Sequence, residues 1–420
     1  MKRADRIKRY FSTVVLVCLL TTIRLSAQNG INTPYSRYGL GVLTDGSTAS
    51  SKAMGGIGTG MRIANTINLH NPASYSSVDT LTFLADMGMS FQHGNFREKG
   101  FKVNARNTTV DYMAMQFRIL PKVGLTAAFV PFSNVGYNFS STTVIDRNDR
   151  EILTRTDQYY GTGGVREFKG GLGWAATGWL SVGMNTAFVT GDLSHYVIDS
   201  YSDVQIKSRP LTYSADLRGV KIDLGAQTTM PLKEGRLVLG ATWSPATTPD
   251  CDAMRIELGG DTIKYGADGA FSMPHLFSAG FSYAAEKLIF GADVSYQTWS
   301  DAAFFESKYG VNSVKASAGV LYCPDISDKN LFRHSTYRAG ISYRQPYYKI
   351  DGYNGPTEYS VSAGISIPFA LAYDSRSFLH ISGQFVRVQP GTEGMITENY
   401  FRLNVGLSFM ERWFRKIQAD

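Results

Sequence analysis

The sequence is poor in cysteine, in charge and in long apolar runs, and each shortage excludes a class of protein. Three cysteines in 420 residues are too few for a disulfide framework. The charged fraction of 18% is below the quarter or so that is usual in soluble globular domains. A bilayer-spanning helix needs about 20 apolar residues, and the main apolar run, residues 14–20, is much shorter. Glycine and aromatic residues are abundant instead, with 42 Gly, 24 Tyr and 24 Phe, and this composition favours strands and turns.

Sequence patterns of enzymes and of metal sites are missing as well. No G-x-S-x-G elbow occurs, and the glycines at 55, 56, 58 and 60 follow no strand and precede no Lys-Ser/Thr pair, so they do not form a phosphate-binding loop. The histidines lack metal-ligand spacing; they are His70, His93, His195, His275, His334 and His380. We therefore predict neither an enzyme nor a metal or other cofactor. Cys251 and Cys323, 72 positions apart, are predicted to be unpaired thiols, with a single bridge as the alternative.

The N-terminus has the layout of a secretory signal peptide. Basic residues precede the apolar run, and small residues precede Gln28, which predicts cleavage after Ala27. An uncleaved anchor is disfavoured because Arg24 interrupts the run, and lipidation at Cys18 because Val17 is bulky where a lipoprotein signal has a small residue. Removing residues 1–27 takes away six basic groups and one acidic group, so the net charge falls from +7 to +2. The mature chain is then nearly neutral, and no nucleic-acid partner is predicted.

From residue 81 onward, apolar residues alternate with polar or small ones. The pattern is clearest in residues 81–92, 359–367 and 401–409. It fits either a soluble sandwich or a membrane barrel. The barrel is favoured because the strands run about 10 to 13 residues, aromatic residues lie at strand ends, and no helix-period segment follows residue 80. We therefore predict an all-β, antiparallel transmembrane barrel, since only a closed barrel satisfies every strand backbone group in lipid.

Turn signals predict about 14 strands with alternating short and long connections. Short connections are predicted near residues 120–122, 177–178, 233–235 and 286–287, and long polar ones near residues 94–107, 146–150, 300–310, 346–356 and 389–398. An even strand number places both chain ends on the periplasmic side. The predicted organisation is a signal peptide at 1–27, a plug at 28–80, the barrel at 81–409 and a periplasmic tail at 410–420. In the tail, residues 413–416 are aromatic and basic, which suits either an interface anchor or a protein partner.

About 53 residues lie between the predicted cleavage site and the first strand. They are too many for a turn, and many of them are apolar or aromatic. A barrel of this strand number encloses a lumen wide enough to hold them, so we predict that they fold back inside as a plug. His70 is predicted to be a polar plug residue. Charged residues on the polar side of the strands are predicted to line the lumen, where they could also bind a carboxylate; they are Asp86, Arg118, Asp293, Arg338, Arg344 and Arg402.

Three features resemble the long-chain fatty-acid transporter family, the FadL and TodX type. They are the Ala-Met-Gly-Gly stretch from Ala53, an Asn-Pro-Ala turn just before the first long strand, and a Pro-Phe pair that ends the third strand. The resemblance implies a fourteen-stranded outer-membrane barrel with an N-terminal hatch that takes up hydrophobic molecules. It also implies a hatch that contains Gly55, Gly56, Asn71, Pro72 and Ala73, and a lateral opening at a kink formed by Pro131, Phe132, Ser133, Asn134 and Val135. Proline cannot donate to a ladder and marks a break there.

The polar segment at residues 65–70 and the start NTPYSRYGLG depart from the family pattern and suggest a divergent branch. The predicted function is passive uptake of hydrophobic small molecules through the hatch and the lateral opening, in the outer membrane of a bacterium. The alternative is a non-transporting barrel of the same fold that acts as a scaffold or subunit of an outer-membrane secretion or assembly complex. Outer-membrane lipid and lipopolysaccharide, a hydrophobic ligand and other outer-membrane proteins are the predicted partners.

Overall fold

The computed structural model describes residues 30–98, 100–147, 152–203, 205–257, 262–265, 271–303, 310–325, 330–369 and 377–412. The predicted signal peptide with its cleavage site after Ala27, and the aromatic and basic residues 413–416, lie outside these ranges. Among the described helices, none has the length and apolar character that a membrane-crossing helix needs.

The described residues form a barrel of 14 antiparallel strands, which confirms the predicted fold class and strand number. Three of the strands, β3, β7 and β8, are each interrupted once. The strands are β1 Thr82–Glu98, β2 Phe101–Leu120, β3 Val123–Pro131 and Ser133–Arg147, β4 Ile152–Ala175, β5 Leu180–Tyr201, β6 Leu211–Leu232, β7 Gly235–Ser244 and Asp250–Glu257, β8 Thr262–Tyr265 and Leu276–Ala285, β9 Leu288–Gln297, β10 Ser313–Tyr322, β11 Thr336–Arg344, β12 Thr357–Phe369, β13 Ser377–Gln389 and β14 Thr397–Arg412.

Each strand pairs with the next, and β1 pairs with β14 over sixteen positions, from Thr82 opposite Arg412 to Arg97 opposite Thr397, which closes the barrel. The ladder continues three residues beyond the predicted barrel end at residue 409. Residues 410–412 of the predicted tail therefore belong to the wall, because β1 supplies partners for them. We call the end of the barrel where β1 begins and β14 ends the lower end, and the opposite end the upper end.

The two-residue alternation of the sequence becomes the two faces of the wall. On β1, Asp86 is 4% exposed and faces inward, whereas Phe91 is 45% exposed and faces outward. On β12, Ser362 is 2% exposed and its neighbour Val361 is 60% exposed. An apolar face that points away from the centre is the arrangement of a membrane barrel. The sandwich alternative is wrong, since its apolar face would be buried.

Several strands are longer than predicted. β4, β5 and β6 have 24, 22 and 22 residues, whereas β9 and β10 have 10 each. About 9–11 residues suffice to cross a bilayer, so one side of the barrel continues well above the membrane. The predicted long loop at residues 94–107 is likewise wrong: Asn95 lies opposite Asn104 in the β1–β2 ladder. Polar residues there extend a hairpin beyond the membrane instead of forming a loop.

Short elements precede the barrel and occupy some of its connections. A 3-10 helix Pro34–Arg37, a strand Val42–Leu43, a helix Ala49–Lys52 and a 3-10 helix Pro72–Ser77 come before β1. Above the barrel lie a 3-10 helix Trp299–Asp301 and a small hairpin of Lys349–Ile350 with Tyr353–Asn354, and a helix Leu331–His334 lies at the lower end, between β10 and β11.

Candidate functional site: the barrel interior and the third-strand gap

Residues 48–78 lie against inward faces of strands on several sides of the barrel. We call this stretch the plug. At Gly55 the backbone has φ +72°, and a Cβ there would lie 2.5 Å from the carbonyl oxygen of Ile341 on β11. A Cβ on Gly60 would lie 2.5 Å from the backbone of Phe281 on β8. Only glycine permits such close approach. The glycine-rich sequence therefore lets the plug backbone touch the wall directly.

The Asn-Pro-Ala turn is fully buried. Asn71 is the N-cap of the helix Pro72–Ser77, and its Oδ1 accepts from the Ala73 amide at 3.1 Å. Its Nδ2 donates to the carbonyl of Thr59 at 2.9 Å and to that of Ala226 on β6 at 3.1 Å. One side chain thus ties the turn, the plug and the wall together. Gating by Gly55, Gly56, Asn71, Pro72 and Ala73 stays a prediction.

Asp293 on β9 holds the middle of the plug. Its Oδ2 accepts from the amides of Gly58 at 2.5 Å and Thr59 at 2.7 Å, and its Oδ1 accepts from Gly60 at 3.4 Å. Successive backbone amides around one carboxylate make a charge-assisted site. The predicted lumen residue is therefore a structural anchor. Likewise, Arg344 donates to the carbonyl of Leu43 at 2.9 Å, and Arg402 to Gln92 Oε1 at 2.6 Å.

A second group of charges lies on the inward faces of β4 and β6. Glu167 and Asp223 each contact both Lys169 and Lys221, with N–O distances from 2.8 to 3.5 Å. Ser244 Oγ also donates to Asp223 at 2.6 Å. Two carboxylates and two ammonium groups thus compensate one another away from solvent. Such a network is stable only when every member is paired.

Two ionisable groups lie beside this network, Asp45 just before the plug and His70 within it. Burial alone would raise the pKa of Asp45, but Lys315, 3.1 Å away, and Arg344 outweigh it and hold that pKa well below its usual range. Burial, with Lys315 adding to it, lowers the pKa of His70 to about 4, and His70 Nε2 lies 3.0 Å from Ser47 Oγ. At neutral pH Asp45 is therefore charged and His70 is neutral.

These groups surround a cavity of about 160 Å³. Its lining combines apolar residues with eight charged side chains: Asp45, Glu167, Lys169, Lys221, Asp223, Asp293, Lys315 and Arg344. A cavity of this kind suits water, because it offers many hydrogen-bond partners. Sites for hydrophobic small molecules differ in that only a small number of polar groups interrupt their apolar walls.

The third strand breaks where the Pro-Phe pair predicts a kink. The lower half of β3, Val123–Pro131, pairs with both β2 and β4. The upper half, Ser133–Arg147, pairs along its length only with β4. Within residues 100–147, all of which are described, β2 above Tyr112 has no strand partner on the β3 side. A gap therefore separates the upper halves of β2 and β3. The five kink residues lie together at its lower end, and their role as a lateral opening stays a prediction.

Residues 30–44 occupy the lower part of this gap, and we call them the strap. Val42 and Leu43 pair antiparallel with Asn134 and Ser133. The Thr44 amide donates to the carbonyl of Phe132 at 2.9 Å. Thr109 Oγ1 on β2 donates to the carbonyl of Gly30 at 2.7 Å. The strap therefore touches both sides of the broken wall.

The strap also closes the upper lumen through a cluster of aromatic residues. Tyr35 and Leu40 are buried there among Trp299, Tyr347 and Tyr348. Tyr35 donates to the carbonyl of Ile396 at 2.6 Å, and the Leu40 amide donates to the Tyr347 hydroxyl at 3.1 Å. Connections from several sides of the barrel thus meet on the strap.

Sequence reasoning missed the strap, although the unusual start NTPYSRYGLG was a signal for it. Tyr35, Tyr38 and Leu40 within that start are the residues that enter the upper cluster. Both described cysteines are free, Cys251 buried and Cys323 partly buried. The described residues also contain no group of side chains that could hold a metal ion.

Several solved structures share this fold. The P. putida toluene transporter TodX aligns with a TM-score of 0.56 and 16% identity, over 89% of this chain and 100% of that one. The Ralstonia pickettii toluene transporter TbuX gives 0.54 and 13%, over 88% and 99%. A Pseudomonas aeruginosa FadL homologue gives 0.53 and 11%, over 87% and 98%. At such identities the likeness establishes the fold, which is that of FadL-type outer-membrane barrels. The matched structures are transport channels and a FadL homologue, not enzymes.

No curated protein matches the chain in sequence. A family model named BamG matches residues 7–420. Since that match spans nearly the whole sequence, the chain belongs to the BamG family, a divergent branch with the FadL-type barrel fold.

Proposed function

We propose that this protein is a non-transporting barrel that serves as a structural subunit of an outer-membrane protein complex. The observation that carries the proposal is the strap, which occupies the lower part of the third-strand gap and is paired to Ser133 and Asn134. In the uptake hypothesis this gap is the exit for the ligand. Here the chain's own backbone closes the lower part of the gap with ladder hydrogen bonds.

The interior gives a second reason. A hydrophobic ligand gains free energy by entering apolar surroundings, at about 25 cal/mol for each Å² removed from water. The cavity beside the plug brings eight charged side chains into its lining instead. Displacing water from such groups without replacing its hydrogen bonds costs free energy. A hydrocarbon or fatty-acid chain therefore has no favourable resting place in it.

Family membership agrees with this proposal, because the chain belongs to the BamG family and matches the named transporters only in fold. The barrel wall also has surface to offer to other proteins. Strands β4 to β6 continue well above the membrane and carry exposed aromatic and aliphatic residues, among them Tyr160 and Ile198. Plug, strap and buried ion network then act to stiffen the barrel.

Passive uptake is the second candidate, and the broken third strand favours it, because the same fold occurs in toluene transporters. In that mechanism a hydrophobic molecule leaves the lipopolysaccharide surface, the hatch shifts, and the molecule exits sideways between β2 and β3 into the bilayer. The strap and its anchors at Phe132 and Asn134 must then detach in every cycle.

Extraction of the native protein in mild detergent, followed by mass spectrometry of its lipids and proteins, distinguishes the two. The proposal predicts stoichiometric protein partners and no bound hydrophobic molecule. A solitary barrel that carries fatty acids or hydrocarbons, lost in Asn71→Ala but retained in the wall-surface control Val361→Ala, would overturn it in favour of uptake.

A further inference from the structure

We propose that the upper part of the third-strand gap is a docking site for an extended β-strand of another protein, which adds to the free edge of β3 between Asn138 and Val144. This inference rests on the proposed function and identifies where a partner would bind.

The free edge is defined by the strap. The Gly136 carbonyl accepts from the Thr33 amide at 2.9 Å, and the Gly136 amide donates to Ser36 Oγ at 3.1 Å. Both polar backbone groups of Gly136 therefore point into the gap. In an extended strand the direction alternates, so Asn138, Ser140, Thr142 and Val144 present theirs to the gap as well. Within the described part of the chain, no strand pairs with this edge above Asn134.

The composition of this edge suits strand addition. Residues 137–144 read YNFSSTTV, with no charge and no proline, and they are rich in aromatic and β-branched residues. Proteins normally blunt a free edge with charges, proline or a bulge. Here only a bulge between Val144 and Asp146 ends the edge at its top. In the part of the chain that the structure describes, the four gap-facing residues from Asn138 to Val144 therefore stay open to pairing.

The facing edge of β2 differs. It carries the exposed cationic residues Lys102 and Arg106, which are the kind of residue that protects an edge. A strand that enters the gap would lie between an uncharged edge that pairs with it and a cationic edge that attracts carboxylates. The occupant that fits is therefore an extended segment that carries acidic residues on its β2 side.

The strap shows that the gap accepts a strand. Val42 and Leu43 pair with β3 just below the free edge, through main-chain contacts. Strand addition draws its affinity from such main-chain hydrogen bonds. The partner strand would continue the same ladder upward from the strap.

Full-length barrel in detergent, incubated with a synthetic ten-residue Thr/Val peptide that contains two glutamates, tests the site. We expect saturable binding and slower amide hydrogen exchange at Asn138, Ser140, Thr142 and Val144. Thr142→Pro removes one gap-facing amide and should weaken binding about tenfold, whereas Thr142→Ala, which keeps the amide, should bind like the unmodified chain. Proline is tolerated on a free edge, and heat-modifiable migration in gels verifies that each variant is folded.

The same peptide with N-methylated amides should not bind. Equal binding of the methylated peptide would overturn the docking site, because strand addition requires the peptide's N–H donors. Protection from hydrogen exchange only outside residues 138–144 would overturn it too. Absence of binding to the folded barrel, while protein partners still co-purify, would overturn the docking site and leave the scaffold proposal standing. If the barrel binds the peptide but is always isolated without protein partners, the docking site stands and the scaffold proposal is overturned.

Discussion

Gly41 decides whether the strap seats in the gap, so substitution at this position is the sharpest test of the structure. Its φ is +87°, a region that costs a residue with a Cβ about 1–2 kcal/mol. A Cβ would also lie 2.3 Å from the carbonyl oxygen of Asn134 and 2.7 Å from Val135 Cγ2. Backbone cannot yield to such overlap as a flexible side chain would. In Gly41→Ala we therefore expect the strap to leave its seat.

Gly46→Ala is the matched control. Its φ is +60°, but a Cβ there would meet only Val130 Cγ1 at 3.4 Å, an ordinary contact. The control thus also places alanine at a positive φ, but without the overlap. The strap is anchored by a few main-chain bonds at about 1 kcal/mol each and by two buried side chains at about 2 kcal/mol each. Together these anchors exceed the backbone strain of about 1–2 kcal/mol, so strain alone should leave the strap seated. At Gly41 the atomic overlap adds to the strain and opposes the anchors.

Limited trypsin digestion after Arg37 measures the outcome. We expect cleavage at least about tenfold faster in Gly41→Ala than in Gly46→Ala, which corresponds to about 1.4 kcal/mol in the seating equilibrium. The barrel itself should stay intact in both variants, because its ladder does not include Gly41. Equal cleavage rates in the two variants would refute the argument that the strap needs glycine at this contact.

Further predictions concern the plug. Asp293→Asn weakens the charge-assisted contacts to the amides of Gly58 and Thr59 and should lower the stability of the barrel by about 2–3 kcal/mol, seen as a lower gel-shift temperature; an unchanged temperature would show that the amides are not anchored there. Asn71→Ala removes a helix cap worth about 1 kcal/mol and two buried hydrogen bonds, so exchange of the plug amides should accelerate, and unchanged exchange would contradict the cap's role. The pKa of His70 is lowered to about 4 by burial, so the unfolded chain binds its proton first. Stability should fall by at most about 3 kcal/mol as the pH drops from about 6.5 to about 4, and a His70→Gln variant with the same pH profile would disprove this source.

The sequence was sufficient to predict the barrel wall, because the wall follows from a single pattern, the two-residue alternation of apolar and polar residues. Alternation at residues such as Phe91 and Val361 shows which side faces lipid, and closure follows from the need to pair every edge. The sequence could not show how far the strands rise above the membrane. Beyond the bilayer both faces of a strand contact water, so the apolar alternation that marks a membrane strand is lost. The hydrogen-bonded ladder nevertheless continues there, as the pairing of Asn95 with Asn104 shows.

The interior was predictable in part. Glycine and the Asn-Pro-Ala turn marked the plug region, because close approach and a capped turn restrict residue choice. The sequence did not show which wall residue contacts which plug residue. Asp293 lies more than 230 positions along the chain from the amides whose hydrogen bonds it accepts. The strap was not predicted either. Two residues of strand, Val42–Leu43, are too short to give a period, and their partner is set by the break at Phe132.

The central claim is that the protein works with its strap seated. The pair Leu43→Cys and Ser133→Cys joins opposite residues and, once oxidised, fixes the strap to β3. Native mass spectrometry of the barrel extracted from cells with this lock is the most direct measurement. The account predicts the same protein partners, in the same ratio, as for the unlocked chain. A solitary barrel whose bound hydrophobic molecules disappear on locking and return on reduction would contradict it.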